Sequence, residues 1–438
     1  MGVRDGLPSG FQGLEYRRRR VLNWVLVGLL YSAFYMTRYN FSAVAGTLQD
    51  VFGWTKKDLG IFETLFPLVY GLSVVINAPL ADRFGGRRSF LFGAVGVVVM
   101  NALFPLLPVL LPGVQGRSLA WAMAIVWGFN GYFQSFGALS IVKINAQWFH
   151  IRERGTFAGV FGALIRLGSY LGTGVAPWVG LQFGWQYAFW VPAMFVALLF
   201  ALNLVFVRES PEEAGFGDLD TGDASSASVE RPGIFDVARR IFTSPTMWMI
   251  ALASMMIGFV RRSAIDAWWF VYYKDVLGLT AKDGLYQATT LGIMFAGIAG
   301  GFAFGITSDR LFNARRAPVI ALGFLGMALS LGAFYLVGSS AWGAVITLIV
   351  LSFFVNGAHG MVGGAASMDF GGRKGVATAA GMFDGMQYLA GAINGSAVGV
   401  IATSYGWETW KLWPIPFALI GAGVMWRLWN VTPGGRAH

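Results

Sequence analysis

Apolar runs of about 20 residues recur along this chain, separated by short polar loops. Each run is long enough to cross a bilayer as a helix. Twelve such segments begin near Val21, Leu59, Ser89, Ala120, Phe157, Gln186, Met247, Gly284, Ala317, Gly343, Val376 and Leu412. One longer hydrophilic stretch, residues 208–240, interrupts the series. It opens with Glu209-Ser-Pro-Glu-Glu213 and passes Gly215, Gly217 and Gly222 into a part rich in Ser and Asp. That content predicts a flexible linker. It divides the chain into residues 1–207 and 241–438, with six segments in each half.

Composition agrees with this pattern. The chain is 56% hydrophobic and 12% charged, against about 25% charged in soluble domains. Glycine, at 60 of 438 residues, suits close helix–helix contact in lipid. There is no cysteine, hence no disulfide or thiol chemistry. No cleavable secretory leader precedes the first segment, and the polar start ending in Arg17–Arg20 reads as a cytoplasmic anchor. An even number of spans puts both termini on one side. With the termini inside, 21 of the 32 Lys and Arg residues fall in cytoplasmic loops and tails, six outside and five within segments. A multi-pass protein of the plasma (inner) membrane with cytoplasmic termini is expected. The net charge of +10 is then mostly topology, and nucleic acid is not an expected partner.

The two halves echo each other. Leu80-Ala-Asp-Arg-Phe-Gly-Gly-Arg-Arg88 follows the second segment, and Thr307-Ser-Asp-Arg-Leu-Phe-Asn-Ala-Arg-Arg316 follows the eighth. Phe149-His-Ile-Arg-Glu-Arg-Gly155 follows the fourth, and Gly371-Gly-Arg-Lys-Gly375 follows the tenth. Asp82, Arg83, Arg87, Arg88, Asp309, Arg310, Arg152, Glu153 and Arg154 are therefore candidates for loops that govern conformation. Two echoes in register imply halves related by an axis along the membrane normal.

The chemistry lies in charges placed inside segments. Arg38 lies in the first segment and Arg261 in the seventh, the first of each half. A guanidinium stays ionised at any working pH and costs roughly 2.5–3.5 kcal/mol to hold near the bilayer centre. Such groups face a protein interior or watery cavity and serve a substrate. Tyr31, Phe34, Tyr35, Phe41 and Ser42 share the face of Arg38 at helical spacing. Arg262 points about 100° from Arg261, and the i,i+4 spacing pairs it with Asp266. A sharper alternative makes Asp266 a switch that releases an arginine when substrate arrives. Arg166 sits in a Gly-rich helix and is expected to point into the cavity, either to bind a second anionic group or to balance Asp384 or Asp266. Lys143, near the end of the fourth segment, reads as snorkelling. Asp384 is expected to pair with an arginine, and Glu63, one turn into its helix, to be solvated. Each could alternatively carry protons. His359 alone cannot suggest a metal site. There is no GxxxxGK[ST] loop, no nucleophile–base pair and no metal-ligand cluster, so neither an enzyme nor a cofactor is indicated. The segment charges sum to an excess of two positive, a site short of one dianion such as a phosphate monoester.

Several motifs carry a resemblance. Tyr35-Met-Thr-Arg38-Tyr-Asn40, Gln134, Trp148-Phe-His-Ile-Arg-Glu-Arg-Gly155, Arg261-Arg-Ser-Ala-Ile-Asp266 and Arg373-Lys-Gly-Val-Ala-Thr-Ala-Ala-Gly381 occur in order over nearly the whole chain. Together with the Asp82-Arg83…Arg87-Arg88 loop they resemble the major facilitator superfamily. Within it the chain looks most like the organophosphate:phosphate antiporters, which include glycerol-3-phosphate and hexose-phosphate transporters. The resemblance implies an all-α membrane protein of twelve transmembrane helices in two six-helix halves. It also implies an arginine from each half, Arg38 and Arg261, gripping the substrate's phosphate, with Tyr31 and Tyr35 nearby. Gln134, Arg166, Asp266, Asp384 and Lys143 complete the candidate substrate site. Two positions depart from the family. Val74 stands where a lysine is usual, and Ile165, beside Arg166, where a histidine is usual. The expected activity is exchange of a phosphorylated metabolite for phosphate by a monomer in the lipid bilayer. A proton-coupled carrier of another organic anion and a membrane sensor of sugar phosphates are the alternatives.

Overall fold

The computed structural model describes residues 13–149, 154–217, 239, 241–313 and 315–431. Among them there is no strand. The helices of the described residues line up as twelve rods, six before the long polar stretch and six after. The first half has α1 (Leu14–Phe52), α2 (Lys56–Phe84), α3 (Gly86–Leu103, extended to Leu110), α4 (Gly116–Trp148), α5 (Arg154–Tyr170, extended to Phe183) and α6 (Tyr187–Phe206). The second has α7 (Pro245–Arg261, extended to Leu277), α8 (Gly284–Leu311), α9 (Arg316–Val337), α10 (Ala341–Gly360, extended to Ala366), α11 (Ser367–Ser404) and α12 (Ile415–Arg427, preceded by Gly406–Leu412).

Six helices are long and apolar enough to cross a membrane by length and composition: Gly86–Leu110, Tyr187–Phe206, Pro245–Ala267, Gly284–Leu311, Arg316–Val337 and Ala341–Gly363. Of the rest, α1, α2, α4, α5 and α11 carry polar and charged groups such as Asn40, Glu63, Asn130, Arg166 and Asp384. Most of these are buried inside the bundle (Asn40, Glu63, Asn130), where they meet other polar groups instead of lipid. Two helices begin before their apolar runs. α1 starts at Leu14 instead of near Val21, and α11 at Ser367 instead of near Val376.

A turn repeated in both halves supports the internal symmetry. α1 ends at Gly53 (φ 66°), and the extended α7 ends at Gly278 (φ 65°), left-handed conformations that suit glycine. Two residues later come Thr55 and Thr280. In each case the threonine N–H and hydroxyl both donate to one carboxylate three residues on, Asp58 (2.9 and 2.7 Å) and Asp283 (2.7 and 2.9 Å). The shared pattern Gly-x-Thr-x-Lys-Asp is a third echo, readable in the sequence as a helix-start signal.

The halves meet at the end away from the chain termini. There α2 runs against α11 so closely that a Cβ on Gly395 would lie 2.4 Å from the carbonyl carbon of Glu63. Thr64 Oγ1 donates to the Ala392 carbonyl (2.9 Å) and touches Ser396 Oγ (2.7 Å). α8 meets α5 through Tyr286, which donates to the Thr173 carbonyl (2.9 Å), and Gln287, which donates to that of Gly174 (3.1 Å). Lys56–Asp275 (2.8 Å) and Lys274–Asp50 (2.5 Å) cross the rim. The Tyr70 and Tyr388 rings touch (centroids 4.4 Å) at the inner edge of this seal. One and two turns further toward the terminus-bearing end, Asp384 and Gly381 are exposed.

At that end the first residues of the long polar stretch dock onto the N-terminal half. The amides of Gly86 (2.7 Å) and Arg87 (2.5 Å), at the start of α3, donate to the Glu209 carboxylate, an anion well placed at a helix N-terminus. The Arg208 amide donates to Asn23 (2.7 Å). Arg87 donates to the Leu204 carbonyl (2.7 Å), Asp309 pairs with Arg316 (2.6 Å), and Arg83, Arg88 and Arg310 are exposed. Arg152 and Glu153 lie outside the described residues, as do the side chains of Asp82 and Arg154.

Candidate functional site

Between the halves, below the Tyr70–Tyr388 contact, two arginines are held in matching ways. α1 positions Arg38 inside a polar ladder. Asn101 bridges Asn40 and Asn130 (3.2 Å each), Asn130 donates to the Thr37 carbonyl (3.0 Å), and the Gln134 amide donates to Thr37 Oγ1 (3.3 Å) and Asn130 (3.4 Å). With its nitrogen so engaged, Gln134 presents its carbonyl oxygen to Arg38 Nε at 2.8 Å. The guanidinium lies over the rings of Tyr35 (4.4 Å) and Tyr70 (4.6 Å), where the π faces favour a cation. Its Nη1 reaches across to the hydroxyl of Tyr388 on α11 (3.2 Å), and its Nη2 is buried without a partner. Tyr31 is buried against Tyr35 (centroids 5.2 Å).

Arg261 mirrors this arrangement from α7. Its Nη2 donates across to the hydroxyl of Tyr39 on α1 (3.0 Å). Its Nη1 faces His359 Nε2 on α10 at 3.4 Å, and the other ring nitrogen of His359 contacts the Gln387 amide (2.9 Å). Gln134 on α4 and His359 on α10 thus occupy corresponding places, one beside each arginine. Each arginine also takes one phenol from the opposite half.

The pairing of Arg262 with Asp266 is not found. Asp266 lies 2.9 Å from Arg261 Nε, as an ion pair whose N–H is not aligned on the carboxylate, and it accepts from Tyr39 (3.2 Å). The cause is local geometry. Residues Arg262–Ala267 form a wider π-type turn, so a side chain five residues on, not four, returns to the same face. Arg262 instead crosses to α2 and pairs with Glu63, which also accepts from Ser42 on α1 (2.5 Å). Glu63 is therefore buried and paired, not solvated, because α11 and α7 cover that turn of α2.

Asp384 does not pair either. It is exposed, and among the described residues it forms no hydrogen bond or ion pair, although Arg261 and Arg38 are its electrostatic neighbours. Arg166 balances neither Asp384 nor Asp266 through a contact. It lines a cleft together with Tyr39, Ser169, Tyr170, Thr173, Asp266 and Thr290. Lys143 stands apart, its ammonium donating to the Ala81 carbonyl at the terminus-bearing end (3.0 Å). Sequence reasoning left Tyr39, Tyr70, Tyr388 and His359 out of the site. The cue for Tyr39 is adjacency to Arg38, and for His359 its being the one histidine within a segment. No local pattern points to Tyr388. The arrangement offers two arginines, both electrostatic neighbours of Asp384, and phenolic donors, a set suited to holding an oxyanion. Among the described residues no cluster of His, Asp or Glu could hold a metal.

The comparisons fit this architecture. The model of the family described as Major Facilitator Superfamily matches residues 27–394. The chain is 27% identical to the membrane sensor protein UhpC of Salmonella typhimurium, over 90% of this chain and 87% of that protein. It is 25% identical to the glycerol-3-phosphate transporter of Bacillus subtilis (99% and 97%) and 24% identical to a probable hexose phosphate transport protein of Chlamydia trachomatis (95% and 92%). Among solved structures, a bacterial homologue of the human lysosomal transporter Spinster, inward-facing and unoccupied, superposes with a TM-score of 0.73 at 14% identity (94% and 97% covered). The xylose transporter XylE of E. coli, partially occluded and inward open, does so with 0.70 at 16% (94% and 98%). At these identities the structural likeness is one of fold.

Proposed function

The chain belongs to the major facilitator superfamily, and from that premise we propose that it carries a phosphorylated small metabolite across the membrane by alternating access, in exchange for inorganic phosphate. The terminus-bearing end faces the cytoplasm in this reading, and the protein sits in the plasma (inner) membrane and works as a monomer. The observation that carries the proposal is the reciprocal arginine–tyrosine grip, Arg38 with Tyr388 and Arg261 with Tyr39, one cation from each half. A phosphate monoester carries roughly −1.5 to −2 charges near pH 7. One charge pair at about 4 Å gains about 4 kcal/mol at an effective dielectric of about 20, before desolvation. A dianion engages the unsatisfied Nη2 of Arg38 and competes with Asp266 for Arg261. Asp266 keeps Tyr39 as a donor when it yields.

Exchange follows from the same charges. Empty, the cavity holds Arg38, Arg166 and Arg261 with too few carboxylates in contact, so closing around it is costly. A bound anion lowers that cost, and the protein rocks when loaded. Proteoliposomes loaded with phosphate are expected to take up labelled phosphate or glycerol 3-phosphate at least tenfold faster than empty ones. Arg38→Lys and Arg261→Lys are expected to lose about 10–100-fold, the worth of a charge-assisted hydrogen bond. Equal uptake into empty liposomes refutes exchange, and uptake that follows a pH gradient alone assigns the carrier to proton coupling. The similarity to a protein named as a membrane sensor favours one second reading, in which the same grip detects a sugar phosphate without net transport. Ligand-induced stabilisation with no counterflow in liposomes selects it.

A further inference from the structure

The cleft beside the phosphate grip has a chemistry of its own. Arg166 and Tyr170 are four residues apart on α5 and so lie on one face of the helix. Both line the cleft, and among the described residues neither forms a hydrogen bond, an ion pair or a ring contact. α5 is held in place behind them. Ser32 on α1 donates to the Leu164 carbonyl at 2.7 Å, and Gly168 abuts the Ser32 backbone so tightly that a Cβ would lie 2.0 Å from its carbonyl oxygen. The guanidinium and the phenol are therefore presented, not folded away. Holding a partly buried arginine with no carboxylate in direct contact is costly in a low-dielectric interior; Arg261 nearby adds to that cost, and Asp266, already paired with Arg261, offsets only part of it. The cleft also borders the grip directly, because Tyr39 and Asp266 line it while contacting Arg261.

Resting on the transport reading above, we propose that Arg166 and Tyr170 bind a second anionic group of the substrate, and that the preferred cargo is a phosphorylated carboxylic acid. A carboxylate suits the cleft better than a second phosphoryl group. It brings one negative charge against one cation not engaged by a contact, and a dianion would crowd Asp266, which lines the same cleft. The phosphate engages Arg38 and Arg261 while the carboxylate takes the Arg166 fork and the Tyr170 hydroxyl. The other polar residues contribute little donation, since Ser169, Thr173 and Thr290 give their protons to backbone carbonyls (2.9–3.1 Å).

The test compares 3-phosphoglycerate with glycerol 3-phosphate, which differ by a carboxylate in place of a hydroxymethyl group. The full-length protein is reconstituted in phosphate-loaded liposomes. The wild type is expected to favour 3-phosphoglycerate by at least tenfold in uptake efficiency. R166Q is expected to bring that ratio near one, Y170F to lower it severalfold, and R166K to retain part of it. Thermal unfolding in detergent gives a readout independent of transport: 3-phosphoglycerate raises the melting temperature more than glycerol 3-phosphate, and R166Q removes the difference. Absence of phosphate self-exchange in the wild type sinks the transport reading. Self-exchange without preference for the carboxylated compound sinks this proposal alone. A ratio that survives R166Q overturns it, as does 2,3-bisphosphoglycerate outcompeting 3-phosphoglycerate.

Discussion

Arg38 enters its cavity with Nη2 unsatisfied, and Arg261 has its Nε without an aligned acceptor. A buried donor without a partner costs about 1–3 kcal/mol, so the site is poised for a ligand that supplies acceptors. Tyr388→Phe removes the acceptor of Nη1 and adds one more orphan. We expect the apparent KM for phosphate in counterflow to rise about tenfold, with the maximal rate less affected; an unchanged KM removes Tyr388 from the grip. The Glu63–Arg262 pair behaves differently because it is closed to ligand and spans both halves. Removing one member of a buried pair leaves an uncompensated charge worth about 3–5 kcal/mol, whereas removing both is much milder. Glu63→Gln and Arg262→Gln should each lower the melting temperature clearly, and the double variant should recover most of the loss. Additive losses in that double-mutant cycle would mean the two side chains do not act as a pair.

Among the elements, α2 and α11 form the tightest contact between halves, and its tightness depends on absent side chains. The Cβ of an alanine at 395 would collide with the α2 backbone at Glu63, and one at 60 would lie 2.9 Å from the Gly395 carbonyl oxygen. The rim ion pairs Lys56–Asp275 and Lys274–Asp50 are partly exposed and contribute at most about 1 kcal/mol each. Steric fit therefore outweighs charge in this seal. Gly395→Ala should wedge the helices apart and populate the state open at the far face. The chain contains no cysteine, so a single Ser396→Cys can be labelled without background. Its reaction with a membrane-impermeant thiol reagent is expected to speed up severalfold when Gly395→Ala is added. No acceleration would place the closing contact elsewhere.

For the whole molecule, the far-face seal and the exposed Asp384 on the other side of the Tyr70–Tyr388 contact describe a cavity approached from the terminus-bearing end. On the proposed topology, which rests on the distribution of Lys and Arg, that end faces the cytoplasm. A C-terminal tag should accordingly be cut by added protease in inside-out vesicles and protected in right-side-out ones. The reverse pattern would invert the direction in which the site is open here. The halves are joined at this end by a segment whose first residues, through Glu209 and Arg208, are bound to the N-terminal half.

The all-helical membrane fold, its two six-helix halves and the presence of two arginines inside segments, Arg38 buried and Arg261 half-buried, were legible in the chain because they rest on properties carried by single residues and short runs: transfer cost, length and repetition. The Gly-x-Thr-x-Lys-Asp turn could have been read in the same way, whereas Gly371–Gly375, expected as a loop, lies inside α11. Partner choice was not. Asp266 went to Arg261 because a π-type turn altered the helical period, which spacing rules take as constant. Arg262 met Glu63, and Arg38 met Tyr388, across 199 and 350 residues of chain. Only the docking of one half against the other brings such side chains within reach, and no local pattern encodes a contact whose geometry is decided by two surfaces at once.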